Sequence, residues 1–425
     1  MESGTPLGRR EADRRPETFL RRTAAHRHGR RVAMTSENST IRCPRDESRT
    51  STLRGFKRWT PADQVPVESD GISLARSLTA HVRRTGKHFL PEHMLVRLSD
   101  VRHRHAEDRP FLTAFLDCML DKHEGRFRNR AYLALPVLEL LMDERHCGPS
   151  ADRMSTMLMS DVVRFEIKAA GGSREGPSRG RPDPATLDTR LRHALRFVTQ
   201  GPGRPDAGDL PSRAAYTPPS RLEALVNHLP RPPATDAWRW FDVTVQPVYV
   251  LHDEYFFIRV LQTREMLFTA TVADMKAAIG ALRAGRLDDA AERIEHAVSM
   301  FERAAALFRV AATMRAEQFS AFRQYTQGAD AIQSAQYERF ASLCGVPPVR
   351  RPRSAAFTSA PALRAEAEDP GHDTVTQAYL DLRGEGGFDR TQWDLLDAAL
   401  SRLEARHQRW KSVHRGLAAR VLGDA

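Results

Sequence analysis

Between Leu396 and Val421 the residues Leu396, Leu400, Leu403, His407, Trp410, His414, Leu417 and Val421 recur at alternating steps of four and three. That spacing puts all of them on one face of a single long α-helix. A helix with such a stripe is stable only when the stripe packs against other elements. His407 and His414 therefore lie on a face that has to be dry, and each needs a hydrogen-bond partner or a metal. Periodicity alone leaves two readings open. Both are ordinary partly buried histidines bonded to backbone carbonyls, or His414, with Trp410 one turn before it, is the axial ligand of a haem iron.

The same helical period runs through most of the chain. It predicts helices over Leu90–Leu98, Pro110–Phe127, Ala131–Glu144 and Ala151–Ala170. After a Gly/Pro/Arg-rich stretch it predicts Glu254–Arg283, Leu287–Arg315, Glu317–Tyr325, Ile332–Leu343, a helix near Val375 and the last from Thr391. Ile294, Val298, Phe301, Ala305, Phe308 and Ala312 share one face, and the short Ala284–Arg286 connection makes its two helices antiparallel. No strand-like alternation is sustained. The expected fold is all-α, an antiparallel helical bundle with a cofactor cavity between facing helices. The breaks divide the chain into an Arg-rich tail (1–69), an extra helical region of unassigned role (70–170), a linker around one helical segment (171–240) and a C-terminal domain (241–425).

Composition excludes several classes. No apolar run approaches the roughly 18 residues of a membrane span, and no apolar segment follows the N-terminal Arg pairs, so a cytoplasmic protein is expected. The cysteines Cys43, Cys118, Cys147 and Cys344 form no CxxC or CxxCH pattern, so neither a disulfide framework, a zinc site nor covalent haem attachment by that motif is indicated. The net charge of +11 is concentrated in the tail, from Arg9 to Arg31. It reads as a solvated basic segment, and a translation start set too far upstream would look the same. Without a recognisable nucleic-acid module, nucleic acid is not an expected partner.

Three ordered segments point further. WKSVHRGLAARVLG, with Trp410, His414, Arg420 and Gly423, resembles the haem-ligand segment of the tryptophan 2,3-dioxygenase family. HDEYFFIRVLQTREMLF, from His252 to Phe268, resembles the family's first active-site helix. QFSAFRQYTQGADAIQSAQYERFASLCG, from Gln318 to Gly345, resembles its substrate-binding segment. The resemblance implies non-covalent haem b with His414 as its protein ligand and Trp410 and Arg420 beside the cofactor. It also implies Arg323 as the anchor of a substrate carboxylate, and Phe257 and Phe319 as the walls of the substrate slot. A guanidinium fork pairs both carboxylate oxygens at once, which Lys cannot do.

Departures from the family pattern bear on the substrate. Leu261 stands where most members have a distal His, Phe319 replaces a Tyr, and the family's Gly- and Ser/Thr-rich closing loop is not found before Ala425. The expected function is a dioxygenase that inserts O2 across the indole C2–C3 bond of L-tryptophan or a related indole, the first reaction of tryptophan catabolism along the kynurenine pathway. The alternatives are an aromatic hydroxylase of secondary metabolism on the same scaffold, or a non-catalytic haem-binding relative. Ala418, where a related subgroup has a Cys, speaks against a covalent haem link. A homo-oligomer, dimer or tetramer, is expected from the family. Residues before 241 do not resemble the N-terminal segment that, in the family, reaches a neighbouring subunit's site.

Overall fold

A computed structural model describes residues 68–422, apart from 122, 124–128, 147, 172–178, 202–225, 327–333, 346–360 and 370. The basic tail up to residue 67 and Gly423 therefore lie outside the described residues. Every regular element among the described residues is helical, and the one sheet-like contact there is a bridge between Arg179 and Leu251. The N-terminal region forms α1 (Glu68–Thr85), α2 (Glu92–His105), α3 (Pro110–Met119), α4 (Asn129–Tyr132), α5 (Leu135–Met142) and α6 (Ala151–Ala170). α7 (Pro184–Thr199) and a 3₁₀ helix over Ala237–Thr244 lead to α8 (His252–Arg283) and α9 (Leu287–Ala311). α10 (Ala316–Arg323), α11 (Ala335–Cys344), α12 (Pro361–Glu368), α13 (Val375–Glu385) and α14 (Arg390–Leu422) complete the chain.

α8 organises the rest. It is buried nearly all round, as expected of a helix enclosed by others. Ile258, Leu261 and Met266 pack into a core shared with α1–α5 and with Trp238, Trp240 and Phe241 of the 3₁₀ helix. Phe256, Val260, Leu267 and Phe268 pack into a second core shared with α6, α7, α9, α11, α13 and α14. Gly285, at φ 69°, ends α8 in the left-handed conformation that glycine adopts without a Cβ penalty. α9 then returns against it.

α9 stops at Ala311, short of the expected Arg315, because the chain turns over Thr313 and Met314 to meet the start of α8. There Asp253 accepts from the backbone N–H of Arg315 at 3.3 Å and from its Nε at 3.4 Å. Asp253 also faces the fully buried Arg190 of α7, whose Nη1 donates to Glu166 of α6 at 2.7 Å and whose Nη2 donates to Asp253 at 3.1 Å. His252 Nε2 lies 2.8 Å from the other oxygen of Glu166. Burial works against ionisation of Glu166, but His252 and Arg190 together hold its carboxyl below the ordinary range. This dry ion cluster pins four elements to one point.

α14 runs along α9 with Leu396, Leu403 and Trp410 turned inward. The ion pairs Arg402–Glu295 and Arg406–Glu302 flank the seam.

Candidate active site

Phe257, Leu261, Arg264 and Phe268 follow one another at steps of four, three and four, which sets them on one side of α8. Along that side α8 meets α10 at one end and α14 at the other. At the α10 end, Phe257 packs edge-on against Phe319 with centroids 5.4 Å apart and tilted against Phe322 at the same distance. Phe319 and Phe322 also meet edge to face at 5.4 Å, closing an aromatic trio. Arg323 follows in the last turn of α10, half-buried, with its guanidinium carbon 5.6 Å from the Phe319 ring centroid. Among the described residues no carboxylate pairs with Arg323. A cation beside an apolar aromatic slot, free of an internal counter-ion, is a receptor for a carboxylate carried on an aromatic body.

At the other end, Trp410 is buried and sits edge-on to Phe268 at 5.3 Å, with Tyr337 at 5.0 Å and Phe308 at 5.6 Å. His414 stacks on Trp410, centroids 5.1 Å apart and planes 6° from parallel, with Phe308 at 6.0 Å on another side.

The two histidines of the stripe have different environments. His407 is buried, its Nε2 3.0 Å from the Tyr337 hydroxyl and its ring against Phe301 and Phe340, so it is an ordinary satisfied core histidine. His414 has no hydrogen-bond partner among the described residues. Burial, reinforced by the positive charge of Arg264, pushes its pKa down to about 4. Its imidazole is neutral at physiological pH, with a lone pair available.

A third contribution comes from a loop that the helical pattern does not single out. Gly86, at φ 84°, lets the chain after α1 approach the segment before α8 so closely that a Cβ there would lie 2.6 Å from the Val248 carbonyl oxygen. Lys87 N donates to the Pro247 carbonyl at 2.8 Å and His88 N to the Val248 carbonyl at 3.2 Å. The Lys87 ammonium is buried against Asp121, at 3.0 Å, and the Cys118 carbonyl, at 2.8 Å. Val248 and Tyr249 are themselves held by Glu254, whose two carboxyl oxygens accept from their backbone N–H groups at 2.7 and 2.9 Å. The loop so fixed sets His88 and Phe89 against Tyr325, two residues beyond Arg323, at 4.8 and 5.4 Å, while Tyr249 stacks on the same ring at 5.1 Å.

The segment carrying Phe257, Leu261, Phe319 and Arg323 is the part of the chain that matches a known family. Residues 243–359 match the family model of tryptophan 2,3-dioxygenase. Comparisons with curated proteins and with solved structures gave no match. The matched segment is thus that of a haem-dependent dioxygenase family, and it ends before α14, so Trp410, His414 and Arg420 stand outside it. Arg420 lies in the last turn of α14, with its side chain outside the described part.

The residues present fit a tryptophan 2,3-dioxygenase type of haem site. A neutral imidazole is the donor that an iron porphyrin needs, while the acceptor that would hold its other ring nitrogen is not among the described residues. Trp410 Nε1 is a buried N–H with no acceptor among the described residues, a gap that a bound group carrying oxygen acceptors would fill. The HDE motif at the start of α8 has a structural role, since His252, Asp253 and Glu254 are buried and spent on Glu166, on Arg190 and Arg315, and on the Val248–Tyr249 backbone. Leu261 is 5% exposed within the core that α8 shares with α1–α5 and offers the site no acceptor, and Phe319 offers no hydroxyl.

Proposed function

We propose that this protein is a haem-dependent oxygenase of the tryptophan 2,3-dioxygenase type, acting on L-tryptophan or a closely related indole amino acid to give an N-formylkynurenine-type product. The observation that carries this reading is the arrangement along α8, with Arg323, which pairs with no carboxylate among the described residues, beside the Phe257–Phe319–Phe322 trio at one end and the neutral His414 at the other. His414 would hold the haem b iron, with Trp410 and Arg420 beside the cofactor. The bound haem supplies oxygen binding and the electronic reorganisation of the ring opening.

The protein contributes binding and exclusion. Arg323 takes the carboxylate in a two-point contact, fixing the amino-acid end of the substrate. Phe257 and Phe319 hold the indole by edge and face contacts that need no polar group on the ring. Leu261 keeps that side of the slot apolar, so water is excluded and the indole nitrogen is left unread. The same feature favours, as a second reading, hydroxylation of an aromatic substrate lacking a free indole N–H.

A spectrum and a turnover assay test the proposal. Purified full-length protein reconstituted with haem is expected to show a Soret band and, once reduced, to convert L-tryptophan with consumption of O2. A Soret band with no product from O2, but hydroxylated product from peroxide, supports the second reading. No Soret band refutes both.

A further inference from the structure

Arg264 is a charged side chain whose burial the fold does not fully account for. It is 6% exposed, one turn beyond Leu261 and one turn before Phe268 on the same side of α8, and Phe268 packs on Trp410, on which His414 stacks. Its Nη2 donates to Glu265 at 2.8 Å. Glu265 is not a dedicated counter-ion, since its other oxygen accepts from the Ser334 hydroxyl at 2.9 Å. The Nε of Arg264 is buried without an acceptor among the described residues. The indole N–H of Trp410, stacked on His414, is likewise buried without an acceptor. A buried donor left unmade costs free energy, and these two, which flank Phe268 along the path from α8 to His414, mark a place where something else supplies the acceptors.

We propose that Arg264 is an anchor for a carboxylate of the group held at His414, a haem propionate, and so determines that this chain takes a dicarboxylate porphyrin rather than an uncharged one. This inference rests on the haem reading above. An anionic oxygen at Arg264 satisfies Nε and lies in low-dielectric surroundings where a charge-assisted hydrogen bond is strongest. The nearest alternative occupant, the substrate carboxylate, has its own cation in Arg323 at the other end of the α8 stripe.

The test compares haem b with its dimethyl ester, which has the same ring and iron but no propionate charge. Full-length wild type, Arg264→Met, Arg264→Lys and the double variant Arg264→Met/Glu265→Gln are loaded with each porphyrin. Release to apomyoglobin is followed through the Soret band. Wild type is expected to hold haem b tighter than the ester by roughly tenfold to a hundredfold, the worth of one charge-assisted bond. Arg264→Met should erase that preference by losing haem b affinity alone, and Arg264→Lys should keep part of it. The double variant, which leaves no unpaired carboxylate, should behave as Arg264→Met and serves if the single variant does not fold. A preference that survives in the Met variants, or is absent from wild type, overturns the assignment of Arg264 while haem binding at His414 stands. Failure of wild type to bind haem, or retention of haem by His414→Ala, overturns both readings.

Discussion

His407 and His414 share one helical stripe, and replacing each by alanine should separate two effects that are usually entangled. His407→Ala removes a buried imidazole that touches Phe301 and Phe340 and is bonded to the Tyr337 hydroxyl at 3.0 Å. The hydrogen bond is worth about 1 kcal/mol. The cavity left by a buried ring adds about 2 to 4 kcal/mol. A loss of about 3 to 5 kcal/mol in stability is expected, with the haem ligand untouched. His414→Ala removes a half-buried ring that makes no hydrogen bond and stacks on Trp410, so it should cost about 1 kcal/mol of fold stability and all of the iron coordination. Urea midpoints of the haem-free proteins measure the first quantity, and the Soret band after reconstitution measures the second. Added imidazole should restore a Soret band to His414→Gly and leave His407→Gly unchanged. Loss of the Soret band in a folded His407→Ala protein, with His414→Ala retaining it, would refute the assignment.

Three further outcomes follow from the same geometry. Arg323→Lys should raise KM for an amino-acid substrate by the equivalent of about 2 to 5 kcal/mol with little change in haem content, while tryptamine, lacking the carboxylate, should bind poorly to both proteins; an unchanged KM removes Arg323 from the site. Because Leu261 offers no acceptor, wild type should not favour indole over its N-methyl form by hydrogen bonding, and Leu261→His should restore that preference by about 1 to 3 kcal/mol; a hundredfold preference already present in wild type shows that another group reads the nitrogen. His414 carries a folded-state pKa of about 4, below its ordinary value, so its neutral form stabilises the haem-free fold above about pH 6.5 and that contribution is lost as pH falls towards 4. Discounted for the exposed part of the ring, the loss is about 2 kcal/mol relative to His414→Phe, and denaturant titrations of both proteins at pH 7 and pH 4 measure it; parallel stability curves would contradict the depressed pKa.

Much of this site was legible in the order of residues because it is carried by local patterns. The steps of four and three from Leu396 to Val421 define α14, and the structure packs that helix against α9 along this stripe. Phe257, Phe319 and Arg323 are marked by short motifs in a fixed order, and the fold brings the three within one aromatic cluster. Periodicity could not choose between His407 and His414, because a helical stripe says which residues face inward and not what they meet there. What His407 meets is Tyr337, 70 residues away in the chain, whose hydroxyl bonds it.

The same limit explains what composition hides altogether. Arg190 lies between Gly-, Pro- and Arg-rich stretches and reads as a solvated cation, yet it is fully buried because Glu166 and Asp253 converge on it from two other helices. Nothing in its local sequence distinguishes it from Arg192, which is exposed and paired within its own helix. The Gly86–Phe89 loop is hidden for a related reason. Its position depends on Glu254, an acid of the HDE run, holding the backbone of Val248 and Tyr249 for the loop to dock on. Burial pushes Glu254 up to about 8 against the donors that surround it, which marks how much of the motif's electrostatic cost is spent on geometry. Acids of this motif support the walls of the aromatic site from behind, and in the proposed reading substrate binding falls to residues one to three turns further along α8 and to the helices it meets.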